Sequence, residues 1–269
     1  MRQSIIIFLL ILIPVMAIAQ TAEHYFVKGV AKSNKGDWIG ALNDFNKAIE
    51  LKPNYAYAYG NRGFAKDNLG DNRGAIQDYN KAIELDPKHA YVYYSRGNSK
   101  AKLGDHQGAI QDYNKAIELE PNYAYAYNKR GIAKDKLGDY RGAIQDYNKA
   151  IELNPGYAGA YGNRGIAKGN LGDYRGAIQD YNKAIELNPD DPISCYNRGS
   201  AKGKLGDYKG AIKEFNKAIE LNPNDAKSYS SRGVLKIDLG KKDSGCLDLS
   251  KAAELGYAKV YAWIMEYCQ

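Results

Sequence analysis

The chain has 269 residues, 44% hydrophobic and 26% charged, with 38 Lys and Arg against 31 Asp and Glu for a formal charge of +7. The basic excess is mild and spread along the whole length, which argues against a nucleic-acid binder with its charge on one stripe. Three histidines (His24, His89, His106) share no face and make no metal-ligand spacing with the three cysteines, so no metal or other cofactor is expected.

The N-terminus reads as a leader. Arg2 is a short basic segment, residues 5–13 are an apolar core, and Ala17, Ile18 and Ala19 form an A-x-A cleavage site. The apolar run over residues 5–19 is short for a membrane span, with an uncleaved anchor as the alternative. Gln20 follows the site, so lipoprotein anchoring is not indicated. The segment resembles bacterial signal peptides. It implies cleavage after Ala19, export to the periplasm or beyond, and no transmembrane anchor thereafter.

From there the chain repeats. Proline recurs at 53, 87, 121, 155, 189 and 223, always 34 residues apart, and a fixed period in this range marks a repeat architecture. Residues 129–155 (KRGIAKDKLGDYRGAIQDYNKAIELNP) and 163–189 (NRGIAKGNLGDYRGAIQDYNKAIELNP) are near-copies. With proline at repeat position 32, seven units follow: 22–55, 56–89, 90–123, 124–157, 158–191, 192–225 and 226–259.

Each unit reads as two helices. In the second unit the first helix is predicted over about 56–69, with Tyr59, Gly63 and Leu69 on its apolar face. Gly70 suits a left-handed terminus and Asp71 can cap the next helix. Ala75, Ile76, Tyr79, Ala82 and Ile83 then fall on one face of a 3.6-residue period. Pro87 ends that helix. Gly63 is expected to face Ala75 and Ala82, letting the two helices approach closely. Residues 260–269 are expected to form a short capping helix over the last exposed face.

Gly at position 8, Ala at 20 and 27, an aromatic residue at 24 and Pro at 32 recur in this register, with Tyr at position 4. The pattern resembles the tetratricopeptide repeat across residues 22–259. It departs from that family at position 7, which holds Arg62, Arg96, Arg130, Arg164, Arg198 and Arg232 after Lys28, and at position 11, which is always Lys. The resemblance implies an all-α, right-handed α-solenoid of tandem helix-turn-helix units. It also implies that the first helices line a concave groove, chiefly through positions 2, 5, 9, 12 and 13.

Carried onto this chain, the groove residues are Phe26, Tyr57, Phe64, Tyr91, Tyr94, Tyr125, Asn128 and Ile132. Lys102, Lys136 and Lys204 stand at its edge and favour an acidic partner. The rival reading of the tyrosines is that they pack on neighbouring helices. The acid at position 23, Asp44 through Asp248 with Glu214, recurs in phase with the arginine, which suggests a ladder of internal ion pairs with Lys at position 11 as an alternative partner. The rival reading is an anion-binding track. Position 26 Lys and position 29 Glu, as in Lys81 and Glu84, form a solvated i, i+3 pair.

Cys195 replaces the position-4 tyrosine and reads as a small buried hydrophobe. Cys246 and Cys268 lie on the last repeat's second helix and the cap, and are a candidate disulfide provided their Cα atoms lie within about 7 Å. No catalytic constellation stands out, because seven equivalent carboxylates do not make one distinctive site. The expectation is a non-catalytic scaffold that takes a protein or peptide partner, not a small-molecule substrate or nucleic acid. The alternative is a binder of an anionic polymer, nucleic acid or acidic envelope glycan, through Lys66, Lys102, Lys136 and their equivalents.

Overall fold

The computed structural model describes residues 21–268, so the leader lies outside the described residues. These residues are all-α, with no strand among them, and fall into two compact units, one ending at Pro87 and the other starting at Lys88. The first unit holds α1 (Ala22–Ser33), α2 (Trp38–Leu51), α3 (Ala56–Asn68) and α4 (Asn72–Leu85). The second holds α5 (Ala90–Lys102), α6 (His106–Leu119), α7 (Ala124–Lys136), α8 (Tyr140–Leu153), α9 (Ala158–Asn170), α10 (Tyr174–Leu187), α11 (Pro192–Lys204), α12 (Tyr208–Leu221), α13 (Ala226–Asp238) and α14 (Lys242–Glu254). A 3₁₀ turn (Ala258–Val260) and α15 (Tyr261–Tyr267) close it. Within each unit successive helices pack as tandem helix-turn-helix pairs, and first helices of neighbouring repeats also touch, as in α1 with α3 and α5 with α7.

Local chemistry sets each turn. The glycine at position 15 adopts a left-handed φ of 76–86° from Gly36 to Gly240, a conformation that costs glycine least. The following aspartate then caps the second helix: Asp71 Oδ1 accepts from Gly74 N at 2.8 Å, and Asp139 from Gly142 N at 2.9 Å. Leu69, predicted on the apolar face, instead sits at the C-cap of α3 and is 45% exposed.

The core of each of the first six repeats is the ring at position 24, and Leu249 takes its place in the seventh. Phe45, Tyr79, Tyr113, Tyr147 and Phe215 are almost wholly buried, each worth roughly 1.5–3 kcal/mol of burial. Gly63 faces Ala75 as expected and the Tyr79 ring more closely still: a Cβ there would lie 2.8 Å from the Tyr79 ring and 3.2 Å from the Ala75 carbonyl. The glycine makes room for the Tyr79 ring.

The ion-pair ladder is present and denser than expected. Asp78, Asp112, Asp146, Asp180 and Asp248 are buried, and each takes an arginine in a two-pronged grip. Arg130 donates Nε and Nη2 to the two oxygens of Asp146 at 3.0 and 2.6 Å. Lys134 joins at 2.8 Å, so the lysine is a second partner alongside the arginine. The remaining Nη1 reaches back to the preceding repeat, to Asn114 Oδ1 at 2.6 Å. Arg164, Arg198 and Arg232 bind Asn148, Asn182 and Asn216 in the same way. Except for Arg198, whose repeat has Cys195 at position 4, each guanidinium also lies over the position-4 tyrosine, 5.2–5.5 Å from the ring centre in Tyr59, Tyr93, Tyr127, Tyr161 and Tyr229. One arginine therefore ties together both helices of its repeat and the repeat before.

The last repeat departs from the pattern. Lys241 stands where other repeats have the capping aspartate, and α14 has no side-chain cap. Gly256, with φ 85°, turns the chain out of α14, and Val260 buries against Leu249 and Ala252. The cap thus begins in the 3₁₀ turn, before the position expected for it. Cys246 and Cys268 are joined by a disulfide with Cα atoms 5.6 Å apart. Cys195 is buried and free, and burial pushes its thiol pKa up.

Candidate functional site

In the first unit, Tyr57 on α3 is 54% exposed. Phe26 and Phe64 are half-buried: Phe26 packs on Phe45 and lies 5.1 Å from Tyr55, and Phe64 meets Trp38 edge-on at 5.7 Å. Both phenylalanines belong as much to the core margin as to any binding face.

The second unit carries a larger aromatic surface. Tyr91 and Tyr125, at position 2 of α5 and α7, are 50% and 52% exposed. Tyr94 is half-buried among Tyr91, Tyr113 and Tyr123, its ring centre 5.0 Å from that of Tyr123. Tyr125 meets Tyr157 edge-on at 5.1 Å. Asn128, expected to reach a ligand, is buried and turned to its neighbours: Nδ2 donates to the Tyr157 hydroxyl at 2.9 Å and Oδ1 accepts from Asn163 at 3.1 Å. It fixes the aromatic cluster rather than facing a partner.

Burial raises the Tyr94 pKa, and burial with the nearby Tyr94 and Tyr125 hydroxyls pushes Tyr157 up to about 12, against the hydrogen bond from Asn128. These hydroxyls stay protonated at neutral pH and available as donors. The tyrosines at position 34 (Tyr55, Tyr123, Tyr157) were not among the residues predicted for the groove. Their signal was present in the recurring NYAYAY and GYAGAY segments.

Beside the aromatic cluster, a hollow of about 290 Å³ lies between α5 and α7. Lys102, Lys129 and Lys136 line it with Asn98, His106 and Ile132, and no carboxylate does. Ile132 also packs on the Ala143, Tyr147 and Ala167 core, so only part of it is available. Further along, a hollow of about 270 Å³ is lined by Asn170, Asn197, Ser200 and Lys204 with Ile166 and Tyr174. The structure thus brings Ile132, Lys102 and Lys136 together and places Lys204 at a separate hollow of the same face.

A protein-family model described as TPR repeat matches residues 34–70, 68–104 and 97–138, and one described as Tetratricopeptide repeat matches 124–157, 158–191 and 192–225. The chain belongs to the tetratricopeptide repeat family. The solved tetratricopeptide repeat protein of Parabacteroides merdae is 25% identical, with TM-score 0.71 over 92% of this chain and 97% of that one. MamA is 31% identical, with TM-score 0.58 over 64% of this chain and 93% of its own. YrrB, a tetratricopeptide repeat protein with an unusual peptide-binding site, is 25% identical, with TM-score 0.58 over 68% and 95%. The chain spans less than half the length of the curated relatives it matches, 23% and 48%.

As a tetratricopeptide repeat protein, the chain has the fold of a protein-interaction scaffold. Among the described residues no helix is long and apolar enough to cross a membrane. The arginine and lysine pairs that would form an anion-binding track are engaged by Asp78 and its equivalents. Lys66, for example, sits 2.8 Å from Asp78.

Proposed function

We propose that the chain is an exported, non-catalytic scaffold that holds an extended or helical segment of a partner protein against the first helices of its repeats. The observation that carries this reading is the exposure of Tyr91 and Tyr125 on α5 and α7, beside a hollow lined by three lysines and no carboxylate. Half-exposed tyrosines offer a large contact area with a hydroxyl at little entropic cost, and three lysines lining one hollow favour an acidic segment. That YrrB, a protein of the same family, has a peptide-binding site supports a peptide segment as the partner. The leader sequence supports export to the periplasm or outside the cell.

Crosslinking in the cells that make the protein, followed by identification of the captured chain, tests the proposal. Tyr91→Ala with Tyr125→Ala is expected to abolish the capture without loss of fold. A partner held by charge alone would instead be released steeply as salt rises, which would favour the anionic-polymer reading.

A further inference from the structure

Trp263, on the cap helix α15, lines a hollow of about 370 Å³ with residues of α11 and α13, the first helices of the last two repeats. Phe215, Val234 and Leu235 supply apolar lining, and Lys204, Ser200 and Ser230 supply polar atoms. Ser200 and Lys204 also line the neighbouring 270 Å³ hollow, so the two share a border on the same face. No carboxylate lines the Trp263–Lys204 hollow. The other hollow that Trp263 lines, with Val234 and Ile237, includes Asp238 and Glu266. The indole therefore contributes to one lysine-bearing and one acid-bearing hollow.

We propose that the lysine-bearing hollow is an anchor pocket for a bulky apolar side chain flanked by carboxylates, and that the Cys246–Cys268 disulfide holds its Trp263 wall in place. The proposal rests on the groove reading above and adds a chemical class to it. The volume is at the low end of ligand pockets, which run from roughly 300 Å³ upward, and suits one large side chain better than a cofactor. Aromatic and aliphatic walls favour such an anchor, and a lysine with no acid beside it in the lining asks for an anion.

The wall depends on a weak element. Helix α15 is seven residues long and has no buried residue, and so short a helix is not stable alone. Ile264 and Cys268 pack on the Leu249, Ala252 and Val260 core, and the disulfide ties the C-terminal end of α15 to α14. A dithiol reductant would pass two electrons and two protons to the Cys246 and Cys268 sulfurs, leaving two thiols and itself becoming a disulfide. The Trp263 wall would then be free to leave.

The test uses the two tryptophan indole N–H signals of the intact ¹⁵N-labelled chain, with Trp38 as internal control. The probe is the peptide acetyl-Glu-Phe-Glu-amide, with its Gln-Phe-Gln and Glu-Ala-Glu counterparts. The Glu-Phe-Glu peptide is expected to move the Trp263 signal and leave Trp38 unchanged. Its affinity is expected to fall about tenfold with Lys204→Gln or with the Gln-Phe-Gln peptide, the size of one lost charge-assisted bond. Dithiothreitol, or Cys246→Ser with Cys268→Ser, is expected to weaken binding by a similar factor with unchanged helical circular dichroism.

An unmoved Trp263 signal, or equal binding of the three peptides, would overturn the pocket. Equal affinity with and without the disulfide would overturn the latch. Capture of the native partner that survives Trp263→Ala but not Tyr91→Ala with Tyr125→Ala rejects the pocket and keeps the groove. Capture indifferent to all three substitutions rejects the groove itself.

Discussion

Asp146 is buried with two cations on it, Arg130 at 2.6 Å and Lys134 at 2.8 Å. Breaking such a pair leaves an under-compensated charge inside the protein. Arg130→Met is therefore expected to cost roughly 2–4 kcal/mol, measured as the shift in a urea unfolding curve. In the sixth repeat the ladder is altered: Glu214 replaces aspartate, Arg198 Nε finds no protein acceptor, and Cys195 removes the stacking tyrosine. Burial alone would raise the Glu214 pKa, but hydrogen bonds from Lys202 and Arg198 outweigh it and hold the group below the ordinary glutamate value. A depressed folded pKa stabilises above the unfolded value, and that stability is lost as pH falls through the folded value. Glu214→Gln is thus expected to lower stability near neutral pH and to flatten its decline as pH falls below the ordinary glutamate pKa, compared with the parent chain by thermal melts. The Arg–Asp pairing was legible because both residues recur in phase. The Asn acceptors recur just as regularly, but their role appears only when one repeat is stacked on the next.

At the scale of elements, helix boundaries were written in the sequence by Gly at position 15, Asp at 16 and Pro at 32. These residues act on their own backbone, so they need no tertiary context. The inward turn of Asn128 and the half-burial of Tyr94 depend on Tyr157, Asn163 and Tyr123, which lie 29 or more residues along the chain. Helical phase alone put Asn128 and Tyr125 on the same face, and packing separated them. The cap is the weakest element. A disulfide closing a loop of this length is worth roughly 3 kcal/mol, but in a repeat array that contribution acts where it is placed. Cys246→Ser with Cys268→Ser is expected to raise hydrogen exchange over residues 258–268 while leaving α5–α10 unchanged, as read by mass spectrometry.

At the scale of the molecule, the periodic residues build the scaffold and the irregular ones make up the surface proposed for recognition. Arginine, aspartate, asparagine and the position-24 rings repeat in nearly every unit and are consumed in holding helices together. Positions 2, 5, 9 and 13 change from repeat to repeat, from Tyr91 and Tyr125 through Gly159 to Ile193 and Lys227, and they supply the exposed rings and the lysine-lined hollows. The central claim is that a partner segment binds across these exposed tyrosines. The direct measurement is partner capture by crosslinking in the producing cells, comparing the parent chain with Tyr91→Ala and Tyr125→Ala combined. Lost capture with an unfolding midpoint close to the parent's is the expected result. Undiminished capture by a folded variant would contradict it.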